Sequence, residues 1–229
     1  MTYLADHIAG VPVTIGGSVA RRGNAFSMWA ARVALKLMNW RLQGGFPDMP
    51  KMVLIGAPHT SNMDGVVAIL TLTALGLRSG TMIKHTAFKG VMGPLLRWFG
   101  AIPIDRGRAG GVVAQSVSAF DKADRLLLLI APEGTRTGAP DWKRGYWIIA
   151  RGAGAPILPA AIDYVKRTVT FGPPVTASDD YDADFRKILD FYKTYGNPRH
   201  PGRASGPICA ALGLPFRPGA RSDSDSAAD

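Results

Sequence analysis

Cysteine is nearly absent from the 229-residue chain, which has only Cys209. A single thiol excludes an intrachain disulfide and suits a reducing compartment. Cys209 lies in a Pro/Gly-rich stretch away from any His–Asp pairing and reads as incidental. Long hydrophobic runs are missing too. No stretch of roughly 18 apolar residues occurs, so no transmembrane helix is expected. The first residues, Met1 to Asp6, lack the basic-then-apolar order of a signal peptide, and the expectation is a cytoplasmic chain. Acidic residues are the third shortage: 17 Asp and Glu face 27 Lys and Arg, for a formal charge of +10. That balance suits an anionic partner, whether a membrane surface, a phosphorylated ligand or a nucleic acid. Helix-turn-helix, zinc-ligand and aromatic RNP-like patterns are all absent, so no nucleic acid is expected. No metal-ligand set is expected either.

What is present is a core. The chain is 47% apolar, enough for one sizeable domain. Residues 1–23 hold scattered Gly and Pro and read as an arm. From Asn24 to Arg41, Phe26, Trp29, Val33, Leu37 and Trp40 recur at helical spacing among Arg32, Lys36 and Arg41. This predicts an N-terminal amphipathic helix, lying in a membrane interface or packing its stripe on the domain. Strand-like runs follow at 52–57, 81–84, 101–105, 125–131, 156–162 and 166–171. Helix-like stretches occupy 64–77, 87–99, 110–123, 143–151 and 182–195. Such alternation predicts an α/β single domain over 24–196, with a central mixed, mostly parallel sheet flanked by helices. Residues 197–229 turn Pro/Gly-rich and then polar, and the end reads as a disordered tail.

The most informative stretch is His59-Thr60-Ser61-Asn62-Met63-Asp64, directly after the apolar run Met52 to Ala57. His59 would sit on the turn at a strand's carboxyl end, where α/β sheets keep their ligand sites. A carboxylate against one ring nitrogen fixes the tautomer and leaves the other free to take a proton. Ser61-x-x-Asp64 equally fits a helix capping box, with His59 an ordinary loop histidine. The pair alone leaves both open.

Three clusters lie downstream. Gly100 to Arg106 ends a strand with an arginine, Glu133-Gly134-Thr135-Arg136 follows the most apolar strand, and Pro156-Ile157-Leu158-Pro159 opens another. Arginine is a planar, permanently charged fork suited to phosphate. Two of them on the same side of a sheet as His59 would make an anion pocket beside a base.

This ordered set resembles the 1-acyl-glycerol-3-phosphate acyltransferase family of lysophospholipid acyltransferases. The family's H-x4-D, Gly…Arg, E-G-T-R and proline-flanked blocks correspond to His59…Asp64, Gly100…Arg106, Glu133 to Arg136 and Pro156…Pro159. Lys84, Pro94 and Lys143-Arg144-Gly145 also match, over residues 50–165. Ala131 and Thr137 depart from the family's common residues, away from the chemistry. The resemblance implies transfer of a fatty acyl group from acyl-CoA or acyl carrier protein, used as substrate with no cofactor, to a lysophospholipid hydroxyl. His59 would be the base and Asp64 its orienter, with no covalent acyl-enzyme. Arg106 and Arg136 would bind the acceptor's phosphate; Lys84 and Lys143 would assist or be solvated surface charges. Glu133 would contact the acceptor's hydroxyls or brace Arg136, Thr135 would donate to the phosphate, and Gly134 would shape the turn. Backbone N–H groups near Pro156 to Pro159 are one option for an oxyanion hole. Basic residues between the first and third motifs, interleaved with Phe88, Met92 and Trp98, would seat the protein peripherally on an anionic membrane surface. Acceptors that stay open are lyso-ornithine lipid, another lysophospholipid or a glycolipid.

Overall fold

The structure is a computed structural model that describes residues 4–8, 11–90, 93–94, 100–104 and 111–219. Nine strands, β1 (Leu4–Ile8), β2 (Val11–Ile15), β3 (Arg41–Phe46), β4 (Lys51–Ala57), β5 (Ser79–Lys84), β6 (Ala101–Ile104), β7 (Leu126–Ile130), β8 (Ile157–Asp163) and β9 (Thr168–Phe171), form one sheet. Six α-helices flank it: α1 (Ala25–Leu37), α2 (Asn62–Ala74), α3 (Gly111–Lys122), α4 (Gly145–Gly152), α5 (Tyr181–Tyr195) and α6 (Gly206–Leu212). Strand order is β1-β2-β3-β9-β8-β4-β7-β5-β6.

β4 explains the layering. Its side chains are apolar at nearly every position, which requires cover on both faces. Successive residues point to opposite faces. Met52 and Leu54 enter a core with Leu35, Trp40, Val67 and Leu75, under α1 and α2. Val53, Ile55 and Ala57 enter a second core with Phe120, Tyr146, Ile149, Ile188 and Ile208, under the other four helices. The central strands β8, β4, β7, β5 and β6 all run parallel, while β9 pairs antiparallel with β8. The α/β single-domain expectation, with its mixed and mostly parallel sheet, is borne out.

Register brings distant motifs together. β4 and β7 are parallel neighbours with Ile55 opposite Ile130. The turn after β4 and the turn after β7 therefore emerge side by side, although residues 59 and 133 are 74 apart.

Three sequence expectations need correction. Residues 1–23 are not a free arm: β1 and β2 extend the sheet, and Val13, Ile15 and Val19 are fully buried. The helix expected over 24–41 ends at Leu37; Asn39 takes a left-handed conformation (φ 58°) and Arg41 starts β3. Trp40 therefore leaves the helical stripe and packs edge-on against Tyr164, ring centroids 5.1 Å apart. The end read as disordered, 220–229, lies outside the described residues, whereas the Pro/Gly-rich segment 197–219 is packed onto the domain. It contains α6, whose Ile208 and Cys209 are buried in the second core. The helix expected over 87–99 lies largely outside the described residues.

The stripe on α1 faces outward. Ala31 and Leu35 meet the core, whereas Phe26, Trp29, Val33 and Leu37 are exposed, Leu37 at 83%. α1 packs on α2, whose Val66 and Ile69 are exposed as well. Arg21 Nη1 and Arg32 Nε tie the pair by donating to the Leu75 and Ala74 carbonyls at 2.9 and 3.0 Å.

Candidate active site

Pro58 follows β4 directly; lacking an N–H, proline ends a ladder readily. His59 and Thr60 form the turn, and Ser61, extended at φ −154°, caps α2. Asp64 stands in the first helical turn, where a negative charge meets the helix N-terminus favourably. Its Oδ2 accepts the Thr60 and Ser61 N–H groups at 2.6 and 2.7 Å. Its Oδ1 accepts the Ser61 and Tyr164 hydroxyls at 2.8 and 2.6 Å. His59 Nδ1 lies 3.4 Å from the same Oδ2, a long hydrogen-bond contact. The capping box and the His–Asp pair are thus one carboxylate seen twice.

The two carboxylates of the site differ electrostatically. Burial alone would raise Asp64, but the bonds from His59, Tyr164 and Ser61 outweigh it and hold the carboxyl at about 2. Burial dominates at Glu133 and pushes it up to about 7, against the lowering effect of bonds from Ser205 and the His59 backbone. Asp64 is therefore ionised throughout the neutral range, while Glu133 titrates within it.

Glu133 sits in neither expected place. It is 3% exposed, its Oε2 accepts the His59 N–H at 2.7 Å, and its Oε1 accepts the Ser205 hydroxyl at 2.9 Å. Both oxygens accept bonds from inside the protein, while Arg136 bonds to Asn62 instead. Arg136 is exposed and donates through Nη1 to Asn62 Oδ1, at the start of α2. That bond brings the E-G-T-R turn against the His59 motif. Gly134 adopts φ +66°, and a Cβ there would come within 2.8 Å of Lys143 Cε. The lysine stem lies across this turn because glycine leaves the room. Thr135 is exposed, its hydroxyl 3.0 Å from that of Thr137. Lys84 ends β5, but its side chain lies outside the described residues, as does all of Arg106. Pro156 to Pro159 cannot serve as an oxyanion hole: Ile157 pairs with Val53 in mid-sheet, whereas Ala57, nearest His59, pairs with Ala161. Among the described residues no group of three or more His, Cys, Asp or Glu could hold a metal ion.

Beside the E-G-T-R turn a cavity of about 630 Å³ opens between the sheet, α3 and α4. Met82, Val113, Ile130, Tyr146 and Ile149 line its depth, with Gly134 and Lys143 among its walls. Sequence reasoning missed Tyr164, Asn62, Trp142 and Ser205 as parts of the site. Only Tyr164 left a signal, as a hydroxyl at the carboxyl end of a buried strand.

A His–Asp turn at a strand end, an arginine bonded to that turn and an apolar cavity alongside make an α/β fold with a candidate enzyme site at the carboxyl end of its central strand. The acyltransferase family model matches residues 45–163, more than half of the chain, and the chain belongs to that family. Among solved structures it is similar to the crystal structure of the 1-acyl-sn-glycerophosphate (LPA) acyltransferase, PlsC, from Thermotoga maritima. The TM-score is 0.53 at 12% identity, over 74% of this chain and 76% of that one, a likeness of fold. No curated protein matches. The family resemblance drawn from the motifs is borne out.

Proposed function

We propose that this acyltransferase moves a fatty acyl group from a thioester to the hydroxyl of a lysophospholipid, with 1-acyl-glycerol-3-phosphate the first choice of acceptor. The observation that carries the reading is the His59 ring facing ionised Asp64, with Arg136 bonded to the same turn. Nδ1 faces the carboxylate, so Nε2 is left for the acceptor hydroxyl. His59 removes that proton as the oxygen attacks the thioester carbonyl. The C–O bond forms, the C–S bond breaks, and the imidazolium returns the proton to the departing thiolate. A thiol of ordinary pKa of about 8.5 leaves readily, so one base suffices. Asp64, charged throughout, stabilises the imidazolium.

Direct transfer is supported by the state of the obvious nucleophiles. The Ser61 hydroxyl donates to Asp64, and Cys209 is buried, its thiol pushed up by burial and by Glu133. The 630 Å³ cavity suits an alkyl chain. Acyl-CoA and acyl carrier protein both remain candidate donors.

Arg136, with Lys143 beside it and Arg106 and Lys84 implied by the family pattern, would hold the acceptor's phosphate; Thr135 would donate to it. Arg136→Ala is expected to raise KM for 1-acyl-glycerol-3-phosphate by roughly tenfold or more, the worth of a charge-assisted bond, with a smaller change in kcat. A non-phosphorylated acceptor should be indifferent to the change. Equal loss on both kinds of acceptor would favour a glycolipid or lyso-ornithine lipid and remove the phosphate role.

The outward stripe of α1 supports seating on an anionic membrane. Phe26, Trp29 and Leu37 join Val66 and Ile69 of α2, and α2 starts beside His59. No described helix is long and apolar enough to cross a membrane. Trp29→Glu/Leu37→Glu should abolish sedimentation with anionic vesicles while leaving the fold intact, because both side chains are exposed. Unchanged sedimentation would remove this face from membrane binding.

A further inference from the structure

The family match ends at residue 163, yet the site continues beyond it. The segment before α6 returns beneath the His59 turn and touches it from two sides. His200 N–H donates to Thr60 Oγ1 at 3.2 Å. Ser205 Oγ–H donates to Glu133 Oε1 at 2.9 Å, and Glu133 Oε2 accepts the His59 N–H at 2.7 Å. Trp142 Nε1–H in turn donates to Ser205 Oγ at 3.0 Å.

With Glu133 ionised, the protons in this chain have one arrangement. Indole N–H can only donate, so Ser205 Oγ accepts from Trp142 and its own hydrogen is left for Glu133. A backbone N–H can only donate, so Glu133 accepts from His59. Both carboxylate oxygens therefore face donors. A proton added to Glu133 would remove the charge that strengthens both bonds and would let the Ser205 bond reverse its direction. Ser205 is 1% exposed, so this bond is shielded from solvent.

We propose that Ser205 is a positioning residue for the base: aimed by Trp142, its hydroxyl keeps Glu133 in the acceptor state that grips the His59 backbone. The imidazole is then held twice, its ring by Asp64 and its main chain by Glu133. The catalytic consequence rests on the reading of His59 as the base; the bond chain does not.

The electrostatics run the same way. Burial pushes Glu133 up to about 7, with the Ser205 and His59 bonds opposing it. The charged or titratable groups facing it are His59, which lowers it, Asp64, which raises it, Tyr192 of α5 and Cys209 of α6. Burial raises the last two, so both are neutral near pH 7. Removing the Ser205 hydroxyl removes a bond to the ionised form, so Glu133 holds its proton to higher pH. The charge-assisted grip on His59 weakens as pH falls through that midpoint.

The His59 amide resonance reports this without substrate. In the full-length protein it is expected to titrate with a component near pH 7, which Glu133→Gln removes. Ser205→Ala should move that component up by roughly half a pH unit or more, and Ser205→Thr should return it. In acyl transfer, Ser205→Ala should lower kcat roughly tenfold at neutral pH with KM nearly unchanged, and more severely in acid than in base. A folded Ser205→Ala protein with an unmoved amide midpoint overturns the proposal. Should that variant fail to fold, Trp142→Phe, which removes the aiming N–H and shrinks a buried ring, must shift the midpoint in the same direction; an unmoved midpoint there overturns it equally. If the wild type transfers no acyl group, the function is wrong and the amide titration still decides the role of Ser205.

Discussion

His59→Ala is expected to lower kcat/KM for acyl transfer by roughly 10²–10⁴-fold, the usual worth of a positioned base. The loss should fall on kcat, because the ring acts on the hydroxyl proton during attack rather than in holding either substrate. Stability should change little. His59 occupies a turn, its side chain is 26% exposed, and the bond that secures the turn to Glu133 comes from the backbone N–H, which alanine retains. Thermal unfolding within a few degrees of wild type would separate lost chemistry from lost fold. Residual activity would come from bringing thioester and hydroxyl together in the site.

Asp64→Asn is expected to damage both activity and stability. Replacing the orienting carboxylate in a serine-protease triad costs about 10⁴-fold, and a loss of roughly 10²–10⁴-fold is expected here. The amide cannot stabilise an imidazolium, and its NH2 group must face either two backbone N–H donors or two hydroxyls. The hydroxyls can turn to accept, so the fold should survive. Linkage gives the stability effect. The carboxyl sits at about 2 in the folded state against 3.8 ordinarily. The folded state thus releases its proton first, and the group's stabilisation is fully present above about pH 4. It is lost as pH falls through 2, and amounts to about 2 kcal/mol. Urea denaturation across that window should show a loss in wild type that is smaller in Asp64→Asn, where only carboxylates such as Asp184 still contribute. Glu133 has the opposite sign: raised from 4.5 to about 7, it makes stability fall as pH rises between those values. A wild type whose stability does not drop below pH 4 would contradict the bond network around Asp64.

The central strands, most of the helices packed on them and the His59–Asp64 pair were legible because each is signalled locally; α6, inside a Pro/Gly-rich segment, was not. β4 is a continuous apolar run before a proline, and the His–Asp spacing spans one turn and one helical start. β3 was not legible. Its Gly44-Gly45 pair reads as a loop, since glycine weakens strands. Yet Gly44, at φ +95°, lies so close to β9 that a Cβ would be 2.0 Å from the Phe171 carbonyl oxygen, so the glycine is what permits the pairing. The direction of the α1 stripe was equally hidden, because amphipathic spacing says which residues share a face and not what the face meets. Glu133, Tyr164 and Ser205 act through bonds to residues 74, 100 and 72 positions away. A motif marks Glu133 and a strand end marks Tyr164, but a single sequence does not say what either binds; the parallel register of β4, β7 and β8 brings those two to the His59 turn, and the segment before α6 brings Ser205.

The central claim is acyl transfer to a lysolipid hydroxyl with His59 as base. Its most direct measurement is product formation from labelled acyl-CoA and acyl carrier protein thioesters on a panel of lysolipid acceptors, with wild type and His59→Ala side by side. The account predicts labelled phosphatidic acid from 1-acyl-glycerol-3-phosphate with wild type, a His59→Ala rate lower by roughly 10²-fold or more, and no labelled protein with donor alone. Full turnover by a folded His59→Ala enzyme on its best acceptor would contradict it.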